Sequence, residues 1–162
     1  MDLLKAIGNT PLVELKKLPK PGSANVMVKL EWANPTGSMK DRMALAAIEA
    51  AEKVGRLSPG RTIVEYTGGT TGVSLAFVAA AKGYPIKIVF SDAFSAEKEL
   101  MMKAFGAEVS IIPSQGKGIT GDLIKAMIAK AKTLSSLPSH WWCDQLNNHD
   151  AVTGYHSLGE EI

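Results

Sequence analysis

One cysteine in 162 residues, Cys143, has no partner for an intrachain disulfide. That fits a reducing compartment, and a cytoplasmic location is the expectation. Net charge is equally scarce: 18 Lys plus Arg stand against 16 Asp plus Glu, a formal balance of +2. So small a surplus gives no general attraction to nucleic acid or anionic membrane, and neither is expected as a partner. No apolar run approaches the roughly 18 residues of a membrane span, and the opening MDLLKAIGNTPLVEL lacks the apolar core of a signal peptide. A soluble protein is expected. Pro/Gly/Ser-rich linkers, single-residue tracts and repeats longer than a strand-helix unit are also missing. A chain of this length has room for one domain, or one domain plus a piece of another. His140, His149 and His156 show no metal-ligand pattern, so no metal is expected.

What the sequence does have is a regular alternation of β-branched runs and amphipathic stretches from residue 40 onward. Thr62 to Glu65, Ile86 to Phe90 and Glu108 to Ile112 read as strands, and Trp141 to Asp144 as a fourth. Asp41 to Val54, Thr71 to Lys82, Ser95 to Phe105 and Thr120 to Thr133 carry apolar residues at helical spacing. Gly55, Gly83 and Gly106 each follow a helix, at the position where a left-handed cap favours glycine. Alternating strands and helices with short connections imply an α/β fold: an open parallel sheet, right-handed crossovers and helices on both faces. Two further strands, Pro11 to Leu15 and Val26 to Leu30, precede this unit, and the pattern does not assign them to the same sheet.

Two loops suit ligand binding at the carboxyl ends of strands. Asn34-Pro35-Thr36-Gly37-Ser38-Met39-Lys40-Asp41-Arg42 puts Lys40 at the start of a helix, on a rigid element from which its amine can react with a carbonyl. By spacing alone, a lysine between such neighbours is as a rule a solvated surface residue. Glu65-Tyr66-Thr67-Gly68-Gly69-Thr70-Thr71-Gly72 joins a strand to a helix. Its glycines let backbone approach a ligand, and its threonine hydroxyls with free N–H groups can receive a carboxylate or phosphate. A plain glycine turn with a threonine helix cap explains the same residues. The Gly-Lys-Ser/Thr ending of a P-loop is missing. Gly116-Lys117-Gly118 reads as a surface turn, and Cys143 beside two tryptophans as buried packing. Gln145 and Asn147 follow the last strand, where they can offer neutral hydrogen bonds.

Together these segments resemble the fold-type-II pyridoxal-phosphate (PLP) enzymes, most closely the cysteine synthase (O-acetylserine sulfhydrylase) and cystathionine β-synthase group. Ile7-Gly8-Asn9-Thr10-Pro11-Leu12-Val13 is similar to that family's N-terminal signature. Asn34-Pro35 with Ser38-Met39-Lys40-Asp41-Arg42 is similar to the stretch whose lysine forms a Schiff base with the cofactor. The similarity runs through almost the whole chain in unbroken order. It implies PLP as cofactor, a small-molecule amino acid as substrate and a homodimer as the assembly. It further implies that Lys40 is the catalytic residue and general base, that Thr70 helps hold the cofactor, and that Thr67, Gly68, Gly69, Thr71 and Gln145 hold the substrate. The implied reaction is β-replacement on an activated serine, O-acetylserine plus sulfide giving cysteine, or a related step in sulfur amino acid synthesis.

Two departures qualify the match. The family loop reads threonine-serine-glycine-asparagine-threonine-glycine, whereas Gly68 stands here for the serine and Thr70 for the asparagine, so substrate choice is open. Leu158-Gly159-Glu160-Glu161-Ile162 is similar to the segment that shortly precedes the family's phosphate-binding loop, and that loop is not in this sequence. The expectation is therefore an incomplete enzyme: residues 40–145 as the small α/β domain, residues 1–39 packing on a C-terminal domain that is not present, and residues 146–162 as the start of that domain. A non-catalytic truncated paralogue acting by association, and a threonine synthase or dehydratase-like lyase, are the alternatives.

Overall fold

The computed structural model describes residues 3–162. Strands β1 (Leu12–Glu14) and β2 (Met27–Lys29) pair antiparallel with Leu12 opposite Lys29, and they form a two-stranded sheet of their own. After them come α1 (Lys40–Lys53), β3 (Thr62–Tyr66), α2 (Thr70–Lys82), β4 (Ile86–Ser91), α3 (Ala96–Ala104), β5 (Glu108–Ile112), α4 (Gly121–Ser135) and β6 (His140–Trp142). Two short helices, α5 (His149–Thr153) and α6 (His156–Glu160), follow. The main sheet has the order β5-β4-β3-β6, and every pairing in it is parallel. Helices α2 and α3 bridge the neighbouring pairs β3-β4 and β4-β5, and α4 carries the chain from β5 at one edge to β6 at the other.

The elements match the sequence pattern to within a residue or two at most boundaries. Gly55, Gly83 and Gly106 have φ of 74°, 77° and 85°, the left-handed conformation that ends a helix. The last strand is a correction: it covers His140–Trp142 and not Trp141 to Asp144. Asp144 adopts φ 49°, which turns the chain out of the extended conformation.

Strand alternation sorts the core onto two faces. Ile63, Ile86, Ile88, Phe90 and Trp141 point to one side and pack on α1, α2, α3 and α5 through Met43, Ala47, Ile48, Leu75, Met102 and Ala151. Val64, Tyr66 and Val89 point to the other and meet Leu123, Met127 and Ala131 of α4. Helices thus cover both faces, as the pattern required. Among the described residues no helix is long and apolar enough to cross a membrane.

The seat of α1, which begins at Lys40, depends on a close crossing at Gly154. A β-carbon there would lie 2.6 Å from the Arg42 carbonyl oxygen and 2.9 Å from Ala46 Cβ. Backbone cannot yield to that contact without moving α1. Gly154→Ala is expected to lower stability by about 1–3 kcal/mol, and Gly159→Ala, whose methyl would meet nothing within 4 Å, by less than about 1 kcal/mol or not at all. Urea midpoints of the two variants check this, and equal midpoints would refute it.

Candidate active site

The loop that leads into α1 is held by hydrogen bonds to its own side chains. Buried Asn34 accepts from Gly8 N at 2.9 Å through Oδ1 and donates to the Glu31 carbonyl at 2.9 Å through Nδ2. Gly37, at φ 76°, closes the turn, its N–H donating to the Asn34 carbonyl at 2.8 Å. Asp41 is fully buried and receives Thr36 N at 2.8 Å and Thr36 Oγ1 at 2.5 Å. An acidic side chain in the first turn that reaches back in this way satisfies donors at the helix start. Thr36 Oγ1 also lies 3.2 Å from Ser74 Oγ, which ties the loop to α2.

Lys40 therefore leaves a fixed backbone. It is half-buried, and its Nζ lies 5.3 Å from the centroid of the Tyr155 ring. That is a cation–π contact. Among the described residues Lys40 has no carboxylate partner within ion-pair distance, whereas Arg42, two residues on, is saturated with them: it pairs with Glu31 at 2.9 Å and Glu161 at 2.6 Å. The two neighbouring cations have different work. Arg42 is structural, and the Lys40 amine is uncommitted.

The loop between β3 and α2 lies at the carboxyl end of the sheet. Thr67 is buried, and its Oγ1 accepts from Gly69 N at 3.0 Å. Gly69 has φ 155°, a conformation in the region that favours glycine. Thr70 is exposed at the first position of α2, and Gly68 is exposed beside it. The N–H groups of the first helical turn have no carbonyl partner within the helix, the arrangement that receives anions at helix starts. Buried Thr71 donates to Gln145 Oε1 at 2.5 Å. That bond takes the amide oxygen and leaves the Gln145 NH2 group free to donate.

Gln145 is held in turn by Glu65, a carboxylate with no solvent exposure inside β3. Glu65 accepts from Tyr66 N at 2.9 Å, Trp142 Nε1 at 3.2 Å and Gln145 N at 3.1 Å. Burial pushes its pKa up to about 7, and the nearby charge of Asp144 adds to the rise, while the three N–H donors act against it. The chain Glu65 to Gln145 to Thr71 links the strand end, the segment after β6 and the start of α2.

Of the residues singled out from sequence, Thr67, Gly68, Gly69, Thr70 and Thr71 share one loop, Gln145 is bonded to it, and Lys40 leads α1, whose entry loop is tied to α2. Gly116 and Gly118 sit in an exposed turn with φ of 73° and 67°, and Cys143 is buried. No group of His, Cys, Asp and Glu among the described residues is arranged to hold a metal. Sequence reasoning missed Tyr155, which nothing in the pattern distinguishes. It also passed over Glu65, although a lone acid inside the β-branched run TIVEY was a signal.

The glycine at 68 has a physical reason. A β-carbon there would lie 2.9 Å from Phe94 Cε1, so the ring already fills the space of a side chain.

Comparison with known proteins agrees with this geometry. The family model described as pyridoxal-phosphate dependent enzyme matches residues 3–162. Cysteine synthase of Staphylococcus aureus (strain Mu50) is 41% identical over 159 residues, covering 94% of this chain and 49% of the relative. Cysteine synthase B of Salmonella typhimurium (strain LT2) is 40% identical over 161 residues, covering 99% of this chain and 51% of the relative. The crystal structure of O-acetyl serine sulfhydrylase isoform 3 from Entamoeba histolytica superposes with a TM-score of 0.87 at 37% identity, covering 99% of this chain and 48% of that one. That of O-ureido-L-serine synthase gives 0.88 at 35%, covering 99% and 49%. The chain spans about half the length of the curated relatives it matches. With its fold, its lysine-led helix and a family match over nearly all of its length, the chain belongs to the pyridoxal-phosphate-dependent enzymes.

Proposed function

We propose that this chain carries the lysine and the amino-acid carboxylate site of a PLP enzyme that performs β-replacement on an activated serine, O-acetylserine plus sulfide giving cysteine. The observation that carries the reading is the uncommitted Lys40 amine on a fixed helix start, in a fold unit whose glycine/threonine loop heads α2. A lysine free of carboxylate partners fits a carbonyl-bearing cofactor. PLP, when bound, withdraws electrons from the α-carbon of an amino acid.

In this reading Lys40 would hold the cofactor through Nζ, and the same atom would serve as general base for the α-proton. Tyr155 lies under the amine and covers one side of it. The backbone at Gly68 and Gly69 lets the substrate carboxylate approach, and Thr71, whose hydroxyl proton goes to Gln145 Oε1, orients the Gln145 NH2 group that donates to it. Thr70, exposed at the head of α2, offers its hydroxyl to the cofactor. Residues 1–39 and the exposed side of residues 146–162, whose α5 is also seated on α1, would pack with a second domain, and the enzyme would be a cytoplasmic homodimer. Val13, Val26 and Met27 support that division, since they stand 38%, 43% and 49% exposed on the small sheet and its edges are unpaired.

Three outcomes test the proposal. Borohydride treatment of the PLP-loaded protein should leave the cofactor on the peptide that contains Lys40, and Lys40→Ala should lose that label; a label on another lysine refutes the assignment. Sedimentation of the 162-residue chain should find dimers or larger species, where a clean monomer would argue that the exposed strands need no cover.

The third concerns Glu65. Its carboxyl, raised from 4.5 to about 7, binds a proton more tightly in the folded state, so its contribution is complete below about pH 4.5 and is lost as pH rises through 7. Wild type should therefore lose a few kcal/mol more stability between pH 5 and pH 8 than Glu65→Gln does. Urea midpoints at the two pH values measure it, and identical pH dependence in the two proteins would count against a raised Glu65.

A further inference from the structure

Two side chains of the β4–α3 unit lie where the loop glycines would carry theirs. A β-carbon at Gly68 would be 2.9 Å from Phe94 Cε1 and 3.2 Å from both Cδ1 and Cζ, and one at Gly69 would be 3.3 Å from Lys98 Cγ. Phe94 is half-buried, and packing holds its ring against the loop. Its ring packs 5.5 Å from that of Phe90, which is wholly buried, and it touches the hydrophobic clusters on both faces of the sheet. Gly68 itself is exposed. The rim of the anion loop is thus bare backbone with an aromatic ring against it. A ring there offers no hydrogen bond, keeps water from the adjacent N–H groups and bounds the space above them.

We propose that Phe94 is a specificity-determining residue of the amino-acid site: its ring is the wall that limits the bulk of an amino acid held at Gly68 and Gly69. This rests on the reading of the 67–71 loop as the carboxylate site. A packed aromatic wall rejects larger side chains by steric overlap, and a glycine at 68 is required because ring and side chain cannot both occupy that space.

The test is a titration of the full 162-residue chain, following the backbone amide resonances of Gly68, Gly69, Thr70 and Thr71 with L-serine, L-methionine and ethanolamine as probes. Wild type should bind L-serine about 10-fold or more tightly over L-methionine, and Phe94→Ala should shrink that preference to about 3-fold or less. Phe94→Leu, which keeps an apolar side chain on Phe90, should fall between them. Gly68→Ser should weaken L-serine about 10-fold, and adding Phe94→Ala to it should recover most of the loss, a coupling expected only of groups in contact. An unchanged preference in both Phe94 variants, or strictly additive effects of Gly68→Ser and Phe94→Ala, overturns the proposal while leaving the carboxylate site standing. If ethanolamine shifts these amides as L-serine does, or neither shifts them, the carboxylate reading fails and the proposal with it.

Discussion

A guanidinium almost wholly removed from water constrains the rest of this structure. Arg42 is 4% exposed, and a buried cation is tolerated only where acceptors surround it. Glu31 and Glu161 supply them, with Thr10 and Ser157 at the margin and Lys29 pairing with Glu161 at 2.6 Å. Two cations thus face two anions, drawn from β2, the turn after it, the first turn of α1 and the end of the chain. Hydrogen bonds from Arg42 hold Glu161 well below the usual carboxylate range. Burial works against ionised Glu31, yet its bonds to Arg42, Thr10 and Asn34 prevail and lower it too. Both carboxylates therefore stabilise the fold at neutral pH and cease to do so as pH falls through the acid range.

That network explains how a lysine two residues away can be left uncommitted. Arg42 consumes the nearby carboxylates, and Asp41 is consumed by Thr36. Among the described residues Lys40 meets the face of Tyr155 and no carboxylate. Fixing the helix start and sparing the amine are two results of one arrangement. A reactive side chain must be held in place without being neutralised by the groups that hold it.

The second polar centre works in the same manner at the other strand ends. Glu65 is surrounded by N–H donors and not by cations, so its charge is less well supported and its proton more tightly held. It spends its acceptors on the backbone of Tyr66 and Gln145 and on the indole of Trp142. Gln145 then reaches Thr71 with its orientation already chosen. A buried acid thereby sets the register between β6 and the head of α2 without facing a ligand.

Strand and helix order, the parallel sheet and its glycine caps were legible in the sequence because they depend on local period and on conformations that few residues adopt. TIVEY and IKIVFS read as strands from β-branched content, and the run from Asp41 to Val54 as a helix from its apolar spacing. The motif around Lys40 and the Thr67 to Thr71 loop were legible as chemistry, and the family could be read from their order. Tertiary structure alone decided the rest, since it depends on residues far apart in the chain. It paired β1 with β2 and kept them out of the main sheet. It ended the last strand early at Trp142, laid Tyr155 under Lys40, joined Glu161 to Arg42 and set Phe94 against Gly68. Local periodicity records which face of an element is apolar, whereas packing chooses which distant side chain meets it.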